Sequence, residues 1–455
     1  MSIPTLSGIE TALSGLEAEQ AALDTTGNNI DNASTTGYTE EVTNLSPSTP
    51  ETVAAPGSSG GYTQLGTGVD VDSITRVRDQ FLDVQYRAQN TVLGSATTTA
   101  SSLGDAQDAL GESSGTTGIS TELSQFWSDW NSVADNPSSL SAQQSLVDDA
   151  TTLTTSINSL SSQLTTLQGD AQTQFNQLSG SGGQLLNDAN QINSLNQDIS
   201  QALAAGQSPN ELEDERDSAL DDLSSLGQIS VTTGSNGQVT VGFGDASKPL
   251  VVAGTGTTLG SVNAITGTSG SNPITAAGTG GELGALLNLA SSSGPIGTYQ
   301  TQLNTVASDL ATSVNGLSTT TPFFSAGSGS SVTAANIQVA VTAGNVQTSS
   351  TSDPGGNDVA TAIAALQGGS ADQSYAALVA QIGSGVQNAQ TNQTNAQAIV
   401  TATEAQRQSV SGVSLDEEMT NLISEQRGYQ ASAQTLNTLD SVLSTLMSQV
   451  GAAGM

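Results

Sequence analysis

The sequence predicts a mainly α protein with small β insertions, in which N- and C-terminal helices pair as a coiled coil around a long helical bundle and a small β-rich outer domain. Three observations predict it. Apolar residues recur every seventh position at both ends: Ile9, Leu16, Leu23 and Ile30 with Leu6 and Leu13 between them, and Leu415, Leu422, Tyr429, Leu436 and Leu443 with Met419 between the first two. Residues 76–226 carry helical periodicity almost throughout. Two later stretches, 227–277 and 321–356, change to alternating patterns rich in Gly, Ser and Thr.

Taken together these give a terminal assembly domain at 1–60 and 410–455, a long helical domain at 61–226, 278–320 and 357–409, and a small β-rich domain at 227–277 and 321–356. The terminal stripes could equally belong to ordinary amphipathic helices on one globular core. Their position at the two extremities favours a pair with the remainder inserted between.

Composition narrows the function classes. Charged residues are 11% of 455, and the net charge of -35 arises because only 7 Lys and Arg face 42 Asp and Glu. Seven scattered cations cannot build the basic face that phosphate contacts need, so nucleic acid and anionic membrane are not expected partners. With no Cys and no His, disulfides, thiolate metal sites and the commonest general base are absent. No cofactor or metal is expected. No cationic leader with an apolar core opens the chain and no run suits a membrane span, so export without a cleaved signal and no membrane insertion are expected.

In chain order, the first stripe is followed by NNIDNASTTGYT at 28–39, where Asn28, Asn29, Asn32, Gly37 and Tyr38 predict a turn. Residues 44–75, with Pro47, Pro50 and Pro56, predict an extended linker or small hairpin. Val77, Phe81, Val84 and Ala88 share one helical face. Helices are predicted over 123–134, 142–167, 175–205 and 211–223, the last capped by Asn210. Its acids Glu211, Glu213, Asp214 and Asp217 share one surface instead of facing across a cleft, which predicts a solvated helix start in place of a catalytic pair. QISVTTGSNGQVTVGF at 228–243 predicts a hairpin, extended by strands through Ile265 and Ile274. Helices return at 280–290 and 299–317, β pieces at Ile337, Val339 and Val341, and helices at 358–366, 375–382 and 386–410.

The motifs Leu13-Ser14-Gly15-Leu16, Asn28-Asn29-Ile30, Asn32-Ala33 and Gly37-Tyr38-Thr39 resemble the N-terminal motif of bacterial flagellar axial proteins, the rod, hook and hook-associated group. SGVSLDEE at 411–418, Tyr429 and Ala433-Gln434, with GGELGALL and NELEDERDSALDDLSSL, are similar to the hook-associated branch. That resemblance implies export of an unfolded chain through the flagellar channel to an extracellular, structural, non-enzymatic role joining hook to filament. It also implies a homo-oligomeric ring, hook protein and the next hook-associated protein as neighbours, and an export chaperone on the C-terminal helix. Hook or distal rod protein, and an extracellular adhesin, stay open as alternatives. Each buried seam residue contributes about 1.5–3 kcal/mol, whereas ordering costs about 1–2 kcal/mol per residue. Single terminal helices are therefore expected to order only when copies gather.

Overall fold

The computed structural model describes residues 4–54, 62–112, 118–254, 261–262 and 279–453, except 328, 330, 352 and 354. Its architecture is mainly α with small sheets. Helix α1 (Pro4–Asn32) leads into strands β1 (Glu41–Pro47), β2 (Glu51–Ala54), β3 (Tyr62–Leu65) and β4 (Val69–Arg76). The helical body begins with α2 (Gln80–Leu110), α3 (Ile119–Asp135), α4 (Leu140–Ser179), α5 (Gln184–Ala204) and α6 (Asn210–Leu226). Strands β5 (Ile229–Thr233), β6 (Val239–Phe243), β7 (Asp245–Val252) and β8 (Ser261–Val262) form an antiparallel sheet in that order. Helices α7 (Gly281–Ala290) and α8 (Pro295–Leu317), the pair β9 (Phe324–Ala326) and β10 (Ile337–Val339), and helices α9 (Asp358–Ala364), α10 (Ser370–Ser411) and α11 (Leu415–Ala453) complete it.

The body is held by an aromatic centre. On α3, Ile119, Leu123, Phe126, Trp127, Trp130 and Val133 fall three or four residues apart and are all buried, as a helix with one apolar face requires. Phe126 lies 4.9 Å from Trp127, 5.8 Å from Phe323 and 5.6 Å from Phe324, and Trp130 lies 5.2 Å from Phe323, ring centre to ring centre. Both tryptophans of a chain with only 3% aromatics therefore sit in one place. Leu146, Leu153, Ile157 and Leu164 extend the apolar layer along α4.

The structure departs from the sequence pattern at several points. The stretch predicted as one helix over 175–205 is broken at 180–183, where Gly182 adopts φ 83° and lets α4 end before α5 begins. Conversely, 375–410 forms one helix with no break: Gly385 is small because the Tyr299 hydroxyl lies where a Cβ would stand, at 2.5 Å. Asn210 does not cap α6; its side-chain amide donates to the Ile74 carbonyl at 3.1 Å. Among the described residues of 44–75, β1 pairs with β4 and β2 with β3. The hairpin at 228–243 forms with Val231 opposite Val241, while Ile265 and Ile274 lie outside the described residues.

Helix α2 is the largest reversal. Its predicted apolar face carries Phe81, Val84 and Ala88 to the surface, and it buries Asp83, Arg87 and Thr91 instead. Polar groups enter because partners await them, Arg87 and Thr91 on α6 and Asp83 at Arg78 and Arg407, a case of tertiary context overriding pattern.

Phe126→Ala is expected to lower the unfolding free energy by about 3–5 kcal/mol, read from urea unfolding followed by tryptophan fluorescence; a loss below about 1 kcal/mol would show that the aromatic centre does not hold the body together.

Candidate assembly site at the paired chain ends

Helices α1 and α11 lie side by side and antiparallel. Gly8 meets Leu439, Gly15 meets Ser432, Glu19 meets Gly428, and Asn29 meets Glu418. Each step up α1 is thus matched by an equal step down α11. On α1 the contact positions Gly8, Gly15, Ala22 and Asn29 recur every seven residues, and all but the last are small, so the helices can approach closely. Ile9, Leu16, Leu23 and Ile30 flank this line half-buried, and Leu13 is exposed. The Leu6 side chain lies outside the described residues.

On α11, Leu422, Tyr429, Leu436 and Leu443 are half-buried. The residues alternating with them are Glu418, Glu425, Ser432 and Leu439, each three positions after the stripe member before it. The expected alternate four positions on, Met419, turns outward at 58% exposure, and Leu415, at the head of the stripe, is 52% exposed. A second correction concerns companionship. Both ends find a partner within one chain, each other, and what remains open is the outward row of α11.

Four hydrogen bonds converge on Asn29, one joining the two helices and three fastening the pair to the rest of the molecule. Its Nδ2 donates to the Glu41 carbonyl at 2.9 Å and to Glu418 Oε2 at 3.0 Å, and its Oδ1 accepts from Glu41 N at 3.0 Å and from the Tyr38 hydroxyl at 2.8 Å. A carboxamide has two donors and an acceptor oxygen with two lone pairs, so its capacity is filled. Asn28, Asn29 and Asn32 are therefore helical rather than part of the predicted turn, and Asn32 donates to Asn28 Oδ1 at 2.8 Å. The turn is made further on, with Gly37 at φ 85°. Nearby, Thr26 donates to Glu425 Oε2 at 2.9 Å, and Thr43 on β1 donates to Thr25 at 2.9 Å.

Below the turn, Glu211 is exposed as the sequence suggested, but Glu213, Asp214 and Asp217 are not solvated. Glu213, Asp214, Asp217 and Asp221 form one face, and arginines distant in sequence close over it. Arg76 reaches Glu213 at 2.8 Å, Asp214 at 2.6 Å and Asp217 at 3.0 Å. Arg78 holds Asp83 through two nitrogens at 2.8 and 3.1 Å, Arg87 bridges Asp217 at 3.0 Å and Asp221 at 2.7 Å, and Arg407 of α10 reaches Asp221 at 2.6 Å with its guanidinium 4.3 Å from the Tyr86 ring centre. Thr39 joins by donating N–H and hydroxyl to Asp214 at 2.9 and 2.7 Å. One buried network so ties the turn, β4, α2, α6 and α10. No positional signal predicts it, because the arginines at 76, 78, 87 and 407 follow no common spacing; the only hint is that so few cations exist.

Burial alone would push the Asp217 carboxyl up, but Arg78, Arg87 and Arg76 outweigh it and hold the group below its usual range. Across α6, burial and the Asp222 charge push Asp188 up to about 6, and its Oδ2 has no hydrogen-bond partner among the described residues. Among the described residues, no group of acids could hold a metal ion, and no helix is long and apolar enough to cross a membrane. With Asp214 and Asp217 occupied by arginines, the cluster is a structural joint and not a pair of carboxyls facing a cleft.

Comparison with known proteins places these regions. Residues 87–321 match the model for the flagellar hook-associated protein FlgK helical domain. Residues 9–39 match the flagella basal body rod protein model, and 404–449 the flagellar basal body rod FlgEFG protein C-terminal model. Flagellar hook-associated protein 1 of Bacillus subtilis is 28% identical over 99% of both chains. The protein of the same name from Escherichia coli is 31% identical over 52% of this chain and 42% of its own length. A solved structure, the flagellar hook junction protein FlgK from Burkholderia pseudomallei, aligns with TM-score 0.39 and 25% identity over 51% of this chain and 43% of that one.

Asn29→Asp is expected to cost about 3 kcal/mol, since it removes both donors and sets a carboxylate against Glu418; hydrogen exchange should rise in α1 and α11 and stay unchanged around Trp130. Unaltered exchange in both helices would show that Asn29 does not fasten them.

Stability should peak at mild acidity. Asp217, depressed when folded, contributes above the ordinary carboxylate value and loses that contribution as pH falls through its lowered value. Asp188, raised when folded, contributes below the ordinary value and loses that as pH rises through about 6. Urea midpoints for Asp188→Asn should accordingly exceed wild type at pH 7.5 and converge with it near pH 4; a variant weaker at both would refute the assignment.

Proposed function

The chain belongs to the flagellar hook-associated FlgK family, and from that premise we propose that it is a structural junction subunit joining the hook to the filament. Its chain ends, 1–60 and 410–455, act as the assembly domain, with α1 and α11 forming an antiparallel coiled coil whose outward side meets neighbouring copies in a ring. The segments 61–226, 278–320 and 357–409 form a long helical domain, and 227–277 with 321–356 form a small β-rich outer domain. Hook protein lies on one side of the ring and the next hook-associated protein on the other. The subunit travels unfolded through the flagellar channel to the cell exterior, with an export chaperone on α11.

One observation carries this reading: rod-type models at both ends and a hook-associated helical model in between fall on a single chain in that order. The helical match at 87–321 favours the hook-associated assignment over a hook or distal rod subunit, which the end matches alone leave open. Physically, the Asn29 network and the arginine joint give the body a fixed attitude to the terminal pair, as a junction bearing torque requires. The absence of Cys also suits passage of an unfolded chain, because no cross-links can form on the way.

Leu422 sits half-buried in the seam beside Glu418 and Glu425. Leu422→Asp is expected to abolish incorporation onto isolated hooks while circular dichroism and tryptophan fluorescence of the body stay native. Normal incorporation by this variant would count against assembly through the terminal pair. Binding of the wild-type chain to itself alone, and neither to hooks nor to the next junction protein, would favour a hook subunit instead.

A further inference from the structure

Two helix faces are apolar and uncovered in the single chain. The first is the reversed face of α2, where Phe81 is 73%, Val84 65% and Val92 53% exposed, with Ala88 open between them. The second is the start of α11, where Leu415, Met419 and Ile423 stand outward at 52%, 58% and 48%. Each contains a row spaced by four: Val84, Ala88 and Val92 on α2, and Leu415, Met419 and Ile423 on α11. Rows of this kind on two helices interdigitate at an interaxial angle of about 50°.

Charge gives the pairing a direction. Beside Val84 opens a cavity of about 380 Å³ whose lining carries four arginines, Arg76, Arg78, Arg87 and Arg216, against three carboxylates, Asp83, Glu213 and Asp217. Arg216 is 95% buried by the complement of its 5% exposure, and its Nε has no hydrogen-bond partner among the described residues. Its Nη1 donates to the Gly237 carbonyl at 2.7 Å, and its nearest carboxylate, Glu213, stands 3.8 Å away. Burial lowers the Arg216 pKa, and Asp217 and Glu213 only partly offset that effect. This arginine is under-neutralised where its neighbours are saturated. On α11, Asp416 is exposed and lies about 100° around the helix from Leu415, at the edge of the row and away from α1.

We propose that the start of α11 of one copy docks on the reversed face of α2 of a second copy, with Leu415, Met419 and Ile423 covering Val84, Ala88 and Val92 and Asp416 directed to the cavity that holds Arg216. The two faces differ, so the contact is heterologous and each copy offers both halves; repeated with a closing rotation it generates a ring. The inference rests on the ring reading above and names the surfaces that would build it. It also accounts for a helix that buries its charges and shows its apolar side.

The chain has no Cys, so introduced thiols report contacts without background. A mixture of the full-length variants Val84→Cys and Met419→Cys, oxidised during assembly on isolated hooks, should give a covalent dimer that neither variant gives alone. Mixing separate variants removes any intramolecular bond from the readout. Val84→Asp should weaken self-association at least tenfold by sedimentation, and Asp416→Asn roughly tenfold, both with native circular dichroism. No covalent dimer, together with undiminished association of Val84→Asp, overturns this contact and leaves the ring reading standing. A wild-type chain that neither self-associates nor adds to hooks overturns both.

Discussion

The interaction on which the rest of this structure depends is the convergence of five arginines on the acidic face of α6. The chain has 7 cationic side chains, and five of them, Arg76, Arg78, Arg87, Arg216 and Arg407, bear on Glu213, Asp217 or Asp221. Isolated surface ion pairs contribute little, but these groups are mostly buried, share partners and carry further hydrogen bonds. In such a network removal of one member strands the others, so its value is orientation as much as stability. Five segments of chain, separated by up to 368 positions between Thr39 and Arg407, are brought to one point.

Placing the cations there has consequences elsewhere. The long helices rely on neutral polar surfaces, in which Thr hydroxyls repeatedly donate to the carbonyl four residues back, as at Thr151, Thr165, Thr305 and Thr401. At the chain ends, Glu418 and Glu425 enter a seam with no cation opposite and are met by Asn29 and Thr26. Burial followed by the Glu418 and Glu19 charges pushes Glu425 up despite the Thr26 bond, so the pairing of α1 with α11 carries electrostatic strain. The Gly8 and Gly15 contacts let the helices come close enough for apolar burial to offset it.

Periodicity revealed the elements that obey it. Both terminal helices, the face of α3 and the hairpin of β5 and β6 are legible because one side of each is apolar and the spacing states the conformation. Partners were less legible. The spacing of seven located Leu422 and Tyr429 but placed the alternate four residues on, at Met419, because the groups three residues on, Glu418 and Glu425, look like surface groups. Glycines mislead in both directions: 175–205 reads as one helix through those at 180–183, which break it, and 383–385 reads as a gap, where the helix runs on. The joint escaped because a charged residue names no partner in a one-dimensional pattern.

The reversal of α2 joins these strands of argument. A helix that sends Asp83 and Arg87 inward must give up its apolar side to solvent, and the arginine joint is what makes that exchange favourable. The cost is an exposed ridge that a soluble monomer has no use for. Beside α11, whose outward row is open for the complementary reason that its inner row is taken by α1, the ridge acquires a purpose only in the company of another copy. The same scarcity of cations that fixes the joint inside the subunit thus decides which of its surfaces remain available outside it.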